Sequence, residues 1–144
     1  MMPHTATRLF LVLAVALVSA CAAGALGGGG SGALVSSLQV ETFPDSVRLS
    51  LQVTNAGSQP VTLDFPSGQS FDFLVTRGGA EVWRWSSDRM FTQALRTETL
   101  APGETRAFDA AWQPPAGTSG EFVARGFLTA RGHAAEQQAR FRLP

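Results

Sequence analysis

The sequence predicts an all-β protein, an antiparallel sandwich of about eight strands. Three observations lead there. Apolar and polar residues alternate with period two in one segment after another. Turn signals recur roughly every eight to twelve residues. No segment sustains the 3.6-residue period of an amphipathic helix. A length of 144 residues suits one domain.

The strands can be taken in order. "SLQVETF" carries Leu38 and Val40 and runs into the turn Pro44-Asp45. "SVRLSLQVTN" puts Val47, Leu49, Leu51 and Val53 on one face and Arg48, Ser50, Gln52 and Thr54 on the other, as a half-buried strand requires. After the turn residues Asn55-Ala56-Gly57, "QPVTLDFP" repeats the pattern with Val61, Leu63 and Phe65. In "SFDFLVTRGGAEVWRW", Phe71, Phe73 and Val75 alternate with Asp72 and Thr76, so Asp72 is expected to point outward. Gly78-Gly79 then forms a two-residue hairpin loop, because glycine tolerates the positive φ of a primed turn. On the returning strand Trp83 and Trp85 share a face, opposite Val82 and Arg84. Pro102-Gly103 sits at the centre of a predicted type II turn, followed by Phe108, Ala110 and Trp112 on one face. "GEFVARGFLTARG" and "EQQARFRLP" complete the set, with Phe122, Leu128, Phe141 and Leu143 inward. The arrangement is of the immunoglobulin-like kind. The inter-sheet cysteine pair is missing, so aromatic burial must stabilise the core. A fully buried large apolar side chain contributes about 1.5–3 kcal/mol.

"SSDRMFTQAL" breaks the pattern. It fits a turn of helix with Ser87 as N-cap and Phe91 and Leu95 spaced i, i+4. It fits equally a loop that packs Met90 and Phe91 under the sandwich. The tryptophan pair also has two readings. Core packing is favoured for at least one indole, whose N–H then needs a partner. An exposed Trp-Arg-Trp patch would instead resemble an interface hot spot.

Composition excludes several functions. The 11 basic residues are all arginine and balance 11 acids. Without lysine there is no P-loop and no Schiff-base chemistry. Without excess positive charge there is no electrostatic footprint for nucleic acid. Of two histidines, His4 lies in the N-terminal leader and His133 in the turn "ARGHAAE". No Gly-x-Ser-x-Gly elbow occurs, and no catalytic residue is assigned. No Cys/His cluster or Asp-rich calcium loop occurs, so neither metal nor cofactor is expected.

The N-terminus carries an address. Arg8 precedes the apolar run Leu9–Val18, the length of a signal-peptide core. It ends in Val18-Ser19-Ala20-Cys21, which resembles the lipobox of bacterial lipoproteins. Residues 1–20 are then a lipoprotein signal peptide, and Cys21 is the lipidated residue. An ordinary secretory signal with an incidental cysteine is the alternative. Acyl chains contribute about 0.8 kcal/mol per buried methylene, and two or more anchor stably. Residues 21–35 comprise this cysteine and a Gly/Ala/Ser-rich tether with a reach of roughly 20 Å. Residues 36–144 form the sandwich. The expected location is the cell envelope, with membrane attachment through lipid. Ala22 is compatible with outer-membrane sorting.

The order of Gly68, Phe71-Asp72-Phe73, Val82-Trp83-Arg84-Trp85-Ser86, Met90-Phe91-Thr92-Gln93, Leu100-Ala101-Pro102-Gly103-Glu104 and Trp112 resembles the intracellular proteinase inhibitor family, BsuPI. The resemblance runs over roughly residues 38–142. It implies an immunoglobulin-like sandwich and inhibition of a subtilisin-type serine protease. An export signal would place the target protease in the envelope or outside. Inhibition needs a rigid loop that binds like substrate. Ser86–Thr99 is the first choice, with Ser86, Ser87, Asp88, Arg89, Met90 and Arg96 as candidate residues. Gln113–Gly120 and Pro66–Ser70 are the other two loops. A non-catalytic envelope module for protein interaction or assembly is the competing function. Oligomeric state is not legible.

Overall fold

The computed structural model describes residues 33–144. The expected signal peptide, Cys21 and nearly all of the tether lie outside the described residues. The chain is all-β, with nine strands and one short 3₁₀ turn among the described residues. The strands are β1 (Leu34–Thr42), β2 (Val47–Asn55), β3 (Val61–Phe65), β4 (Phe71–Arg77), β5 (Ala80–Arg84), β6 (Arg96–Leu100), β7 (Thr105–Trp112), β8 (Gly120–Leu128) and β9 (Gln137–Leu143). All pairs are antiparallel. One sheet has the order β1-β2-β7, a second β5-β4-β8-β9, and β3 pairs with β6 as a two-stranded ribbon. Among the described residues no helix is long and apolar enough to cross a membrane.

The period-two pattern becomes the core. In β2, Val47, Leu49, Leu51 and Val53 are buried, and Phe73, Val75, Phe122, Ala124 and Leu128 meet them from the facing sheet. Trp112 is buried against Phe122 and Phe141, with centroids 5.6 and 6.5 Å away. Gly126 makes room for the ring of its cross-strand partner Phe73: a Cβ there would stand 2.8 Å from that ring and 3.3 Å from Leu38 of the other sheet.

The hairpin and turn chemistry follows the sequence. Gly78 and Gly79 take φ of 56° and 83° between β4 and β5. Gly103 takes φ of 77° while the Glu104 N–H donates to Ala101 O at 3.0 Å, as a type II turn requires.

Three features depart from the sequence reading. The ninth strand, β6, was not expected, because "RTETL" buries only Leu100 and so lacks an apolar alternation. The helix with a Ser87 cap is replaced by a 3₁₀ turn, Trp85–Asp88, entered from Arg84 with no side-chain cap. Asp72 is the third. It does lie off the core face, but its side of the sheet is covered, and it is 4% exposed.

Candidate functional site

The site is the segment that joins β5 to β6, together with what holds it. Its root is the β4–β5 hairpin. Val75 faces Trp83 and Thr76 faces Glu81, so Val82 is an extra, unpaired residue in β5. This bulge sharpens the local twist. Past it, Trp83 turns toward the core and lies 6.3 Å from Trp112, centroid to centroid. Trp85 stacks on Phe71 at 4.3 Å, and Phe71 in turn meets Phe108 of the other sheet at 5.0 Å. Both indoles are half-buried and pack against the core clusters.

Asp72 clamps the start of the segment. The Ser86 N–H and Oγ donate to it at 3.2 and 2.6 Å, and Arg84 Nη1 lies 3.2 Å from the same carboxylate. The Phe73 N–H adds a fourth bond at 2.9 Å. A buried carboxylate is costly unless it is bonded in this way. Arg84 also binds Glu81, through Nε at 2.8 Å and Nη2 at 2.6 Å. Hydrogen bonding to Glu81 raises the Arg84 guanidinium above its ordinary pKa, burial opposes the rise, and Asp72 adds to it. The cation therefore persists across all working pH.

The far side of the segment is held differently. Phe91 packs on Trp85 at 5.8 Å. The Gly68 N–H donates to Thr92 O at 2.8 Å. A larger residue at 68 would have to displace Thr92, since a Cβ would lie 2.6 Å from Thr92 Oγ1 and 3.2 Å from Thr92 N. Gly68 thus belongs to the site through close backbone approach. The loop Pro66–Ser70, one of the three loops singled out in the sequence, serves here as a brace.

The residues proposed for the loop divide into two groups. Ser86 is clamped, while Ser87 and Asp88 are exposed. Arg89 folds back: its Nε donates to Trp85 O at 3.1 Å and its guanidinium sits 4.4 Å over the Trp85 ring. Met90 is 100% exposed, and Leu95, further along the segment, is 72% exposed. Met90 does not pack under the sandwich. Gln93 is exposed as well. Arg96 was expected to be an accessible loop residue, but it opens β6 and is tied down. It donates to Ser67 O (3.1 Å), Ser70 Oγ (2.9 Å) and Glu98 (2.6 Å), and lies 4.7 Å over Phe65. Its charge made it look solvent-seeking; the one hydroxyl and one carbonyl that receive it come from a loop distant in sequence.

Between Arg89 and Leu95 the chain has no regular structure. Arg89 is extended, with φ −120° and ψ 148°. The loop Gln113–Gly120 is closed by its own turn, where Thr118 N and Oγ1 both donate to Pro115 O. Among the described residues there is no cluster of three potential metal ligands. Sequence reasoning missed Asn55, which is fully buried. Its Nδ2 donates to Gln59 O and Leu100 O at 2.7 and 2.9 Å, and its Oδ1 accepts from Gly57 N at 3.0 Å. It joins β2, the following loop and β6. An Asn next to Ala-Gly reads as a turn residue, and nothing local signals its distant partner.

These features define an antiparallel β-sandwich that carries a projecting, two-sided braced loop. The chain belongs to the BsuPI family, described as intracellular proteinase inhibitor, whose match covers residues 34–133. No curated protein matches. Among solved structures, the sporulation control protein Spo0M from Bacillus subtilis is similar at 18% identity, covering 78% of this chain and 49% of that one, with a TM-score of 0.45. A β-glucosidase from Erythrobacter marinus is similar at 17% identity over 77% of this chain, with a TM-score of 0.44. This chain spans only 15% of that enzyme's length. A CARDB domain from Pyrococcus furiosus is similar at 17% identity, covering 77% and 92% of the two chains, with a TM-score of 0.42.

Proposed function

We propose that this chain inhibits a subtilisin-type serine protease by offering the segment 86–92 to the protease cleft. Membership of a proteinase inhibitor family supports the protease as partner. The observation that carries the loop assignment is the bracing. Asp72 holds Ser86 on one side, Gly68 holds Thr92 on the other, and Met90 stands free between them. A loop already ordered before binding avoids the cost of ordering it on association. Extended backbone at Arg89 suits a cleft that pairs with substrate as an added strand. The Leu9–Val18 run and Cys21 support export and lipid attachment, so the target protease belongs to the envelope or exterior.

The test is a titration of a subtilisin-type protease with the full chain in mild detergent, reading residual activity. Stoichiometric loss of activity, with the chain left uncut, is expected. Full activity at a large excess of chain would overturn the reading and leave an interaction module of the envelope in its place.

A further inference from the structure

We infer that Met90 is the specificity-determining residue, entering the primary pocket of the protease and selecting enzymes whose pocket is apolar and uncharged. This rests on the inhibitory reading of the loop. The braced segment offers several side chains, and the geometry eliminates most of them. Ser86 is bound to Asp72. Arg89 is spent on Trp85, by a hydrogen bond and by its position over the ring. Phe91 is turned back onto Trp85. Arg96 lies in β6, held by Ser67, Ser70 and Glu98. Ser87 and Asp88 are also exposed, but they are small and polar; Met90 is the large apolar side chain between the two braces that stands wholly in solvent. Leaving an unbranched apolar side chain fully exposed forgoes roughly 1.5–3 kcal/mol of burial, which a complementary pocket would recover. Methionine also suits this use, because its flexible thioether adapts to pockets of different shape.

The chemistry of the sulfur supplies a second prediction. Hydrogen peroxide transfers one oxygen atom to the Met90 sulfur; the thioether becomes a sulfoxide and the peroxide is reduced to water. The sulfoxide is polar and does not suit an apolar pocket. The other methionines are Met1 and Met2, far from the loop in sequence. Oxidation therefore addresses the proposed contact with little else to disturb.

The experiment measures inhibition constants of full-length chains against a subtilisin-type protease and against trypsin, whose primary pocket is acidic. Met90→Leu should stay within about threefold of the parent, since the swap nearly conserves volume and apolarity. Met90→Asp should weaken inhibition of the subtilisin-type enzyme by about 100-fold or more. Met90→Lys should do the same and gain inhibition of trypsin. Peroxide treatment should weaken the parent and leave an equally treated Met90→Leu chain unchanged, which separates Met90 from Cys21 and the N-terminal methionines. Unaltered constants across the Met90 series, with the parent inhibiting, would overturn this assignment and leave the proposed function standing. Failure of the parent itself to inhibit would overturn both. Melting temperatures near that of the parent are expected throughout, because Met90 touches no core residue.

Discussion

At Asp72 a carboxylate lies on the sheet face away from the core yet is only 4% exposed, because Arg84 and the 3₁₀ turn cover it. Period-two alternation predicts the direction of this side chain correctly and its environment wrongly. Period two says which face a residue takes; it carries nothing about what later packs there. Two consequences separate stability from loop order. Asp72→Ala strands the Ser86 N–H and leaves Arg84 with Glu81 alone. It should cost about 2–3 kcal/mol, read as a lower urea midpoint with unchanged slope. Ser86→Ala removes one short bond to the carboxylate and should cost roughly 1–1.5 kcal/mol. Under the proposed function, both should make the loop a better substrate for the protease, seen by mass spectrometry as faster cleavage near Met90. Equal cleavage rates in parent and variants would remove Asp72 from any role in positioning the loop. Gly68 offers an independent handle on the other brace. Its alanine variant must push Thr92 aside and should loosen the same segment, measured as faster amide exchange at residues 89–92.

At the scale of elements, strands with one buried face were legible, and those held by polar side chains were not. β2 could be read residue by residue because four inward aliphatics alternate with polar residues. β6 could not, because Arg96, Thr97, Glu98 and Thr99 present no such contrast. It is held to β3 by the ladder from Val61↔Leu100 to Phe65↔Arg96 and to its surroundings by side-chain bonds. Thr97 bonds Asp64 at 2.9 Å, and Glu98 receives both Arg96 and Arg106. Asn55 links this ribbon to β2. Asn55→Ala would leave the carbonyls of Gln59 and Leu100 without their donor, at a cost of about 2–3 kcal/mol in thermal or urea unfolding. An unchanged midpoint would show that water or backbone replaces the amide freely. The β4–β5 hairpin was fully legible at its glycines, yet the bulge at Val82 was not, since a bulge leaves no mark on a short apolar run.

For the whole molecule, stability comes from apolar burial between two sheets. The single cysteine, Cys21, lies before the described residues, so no disulfide crosses the sandwich. The melting temperature should therefore be the same with and without a thiol reductant; a marked fall on reduction would point to an intermolecular bridge. Gly126→Val should force two methyl groups toward Phe73 of the same sheet and Leu38 of the other, at a cost of about 1–3 kcal/mol from overpacking, read as a lower urea midpoint. The braced loop leaves this rigid frame at one point and returns at another, and both attachments are visible only in three dimensions. The sequence motif falls within the segment that Asp72 and Gly68 brace. The division of labour within it, with arginines folded back and Met90 projecting, depended on contacts from Phe71, Ser67 and Ser70 that no local pattern announces.

Under the proposed function, a protease meets the chain at the braced loop. Hydrogen–deuterium exchange on the full chain, alone and bound to a subtilisin-type protease, tests it directly. Strong protection confined to residues 88–92 on complex formation is the expected result. A stable complex that leaves those amides exchanging as before, with protection instead at Gln113–Gly120 or on a sheet face, would contradict it.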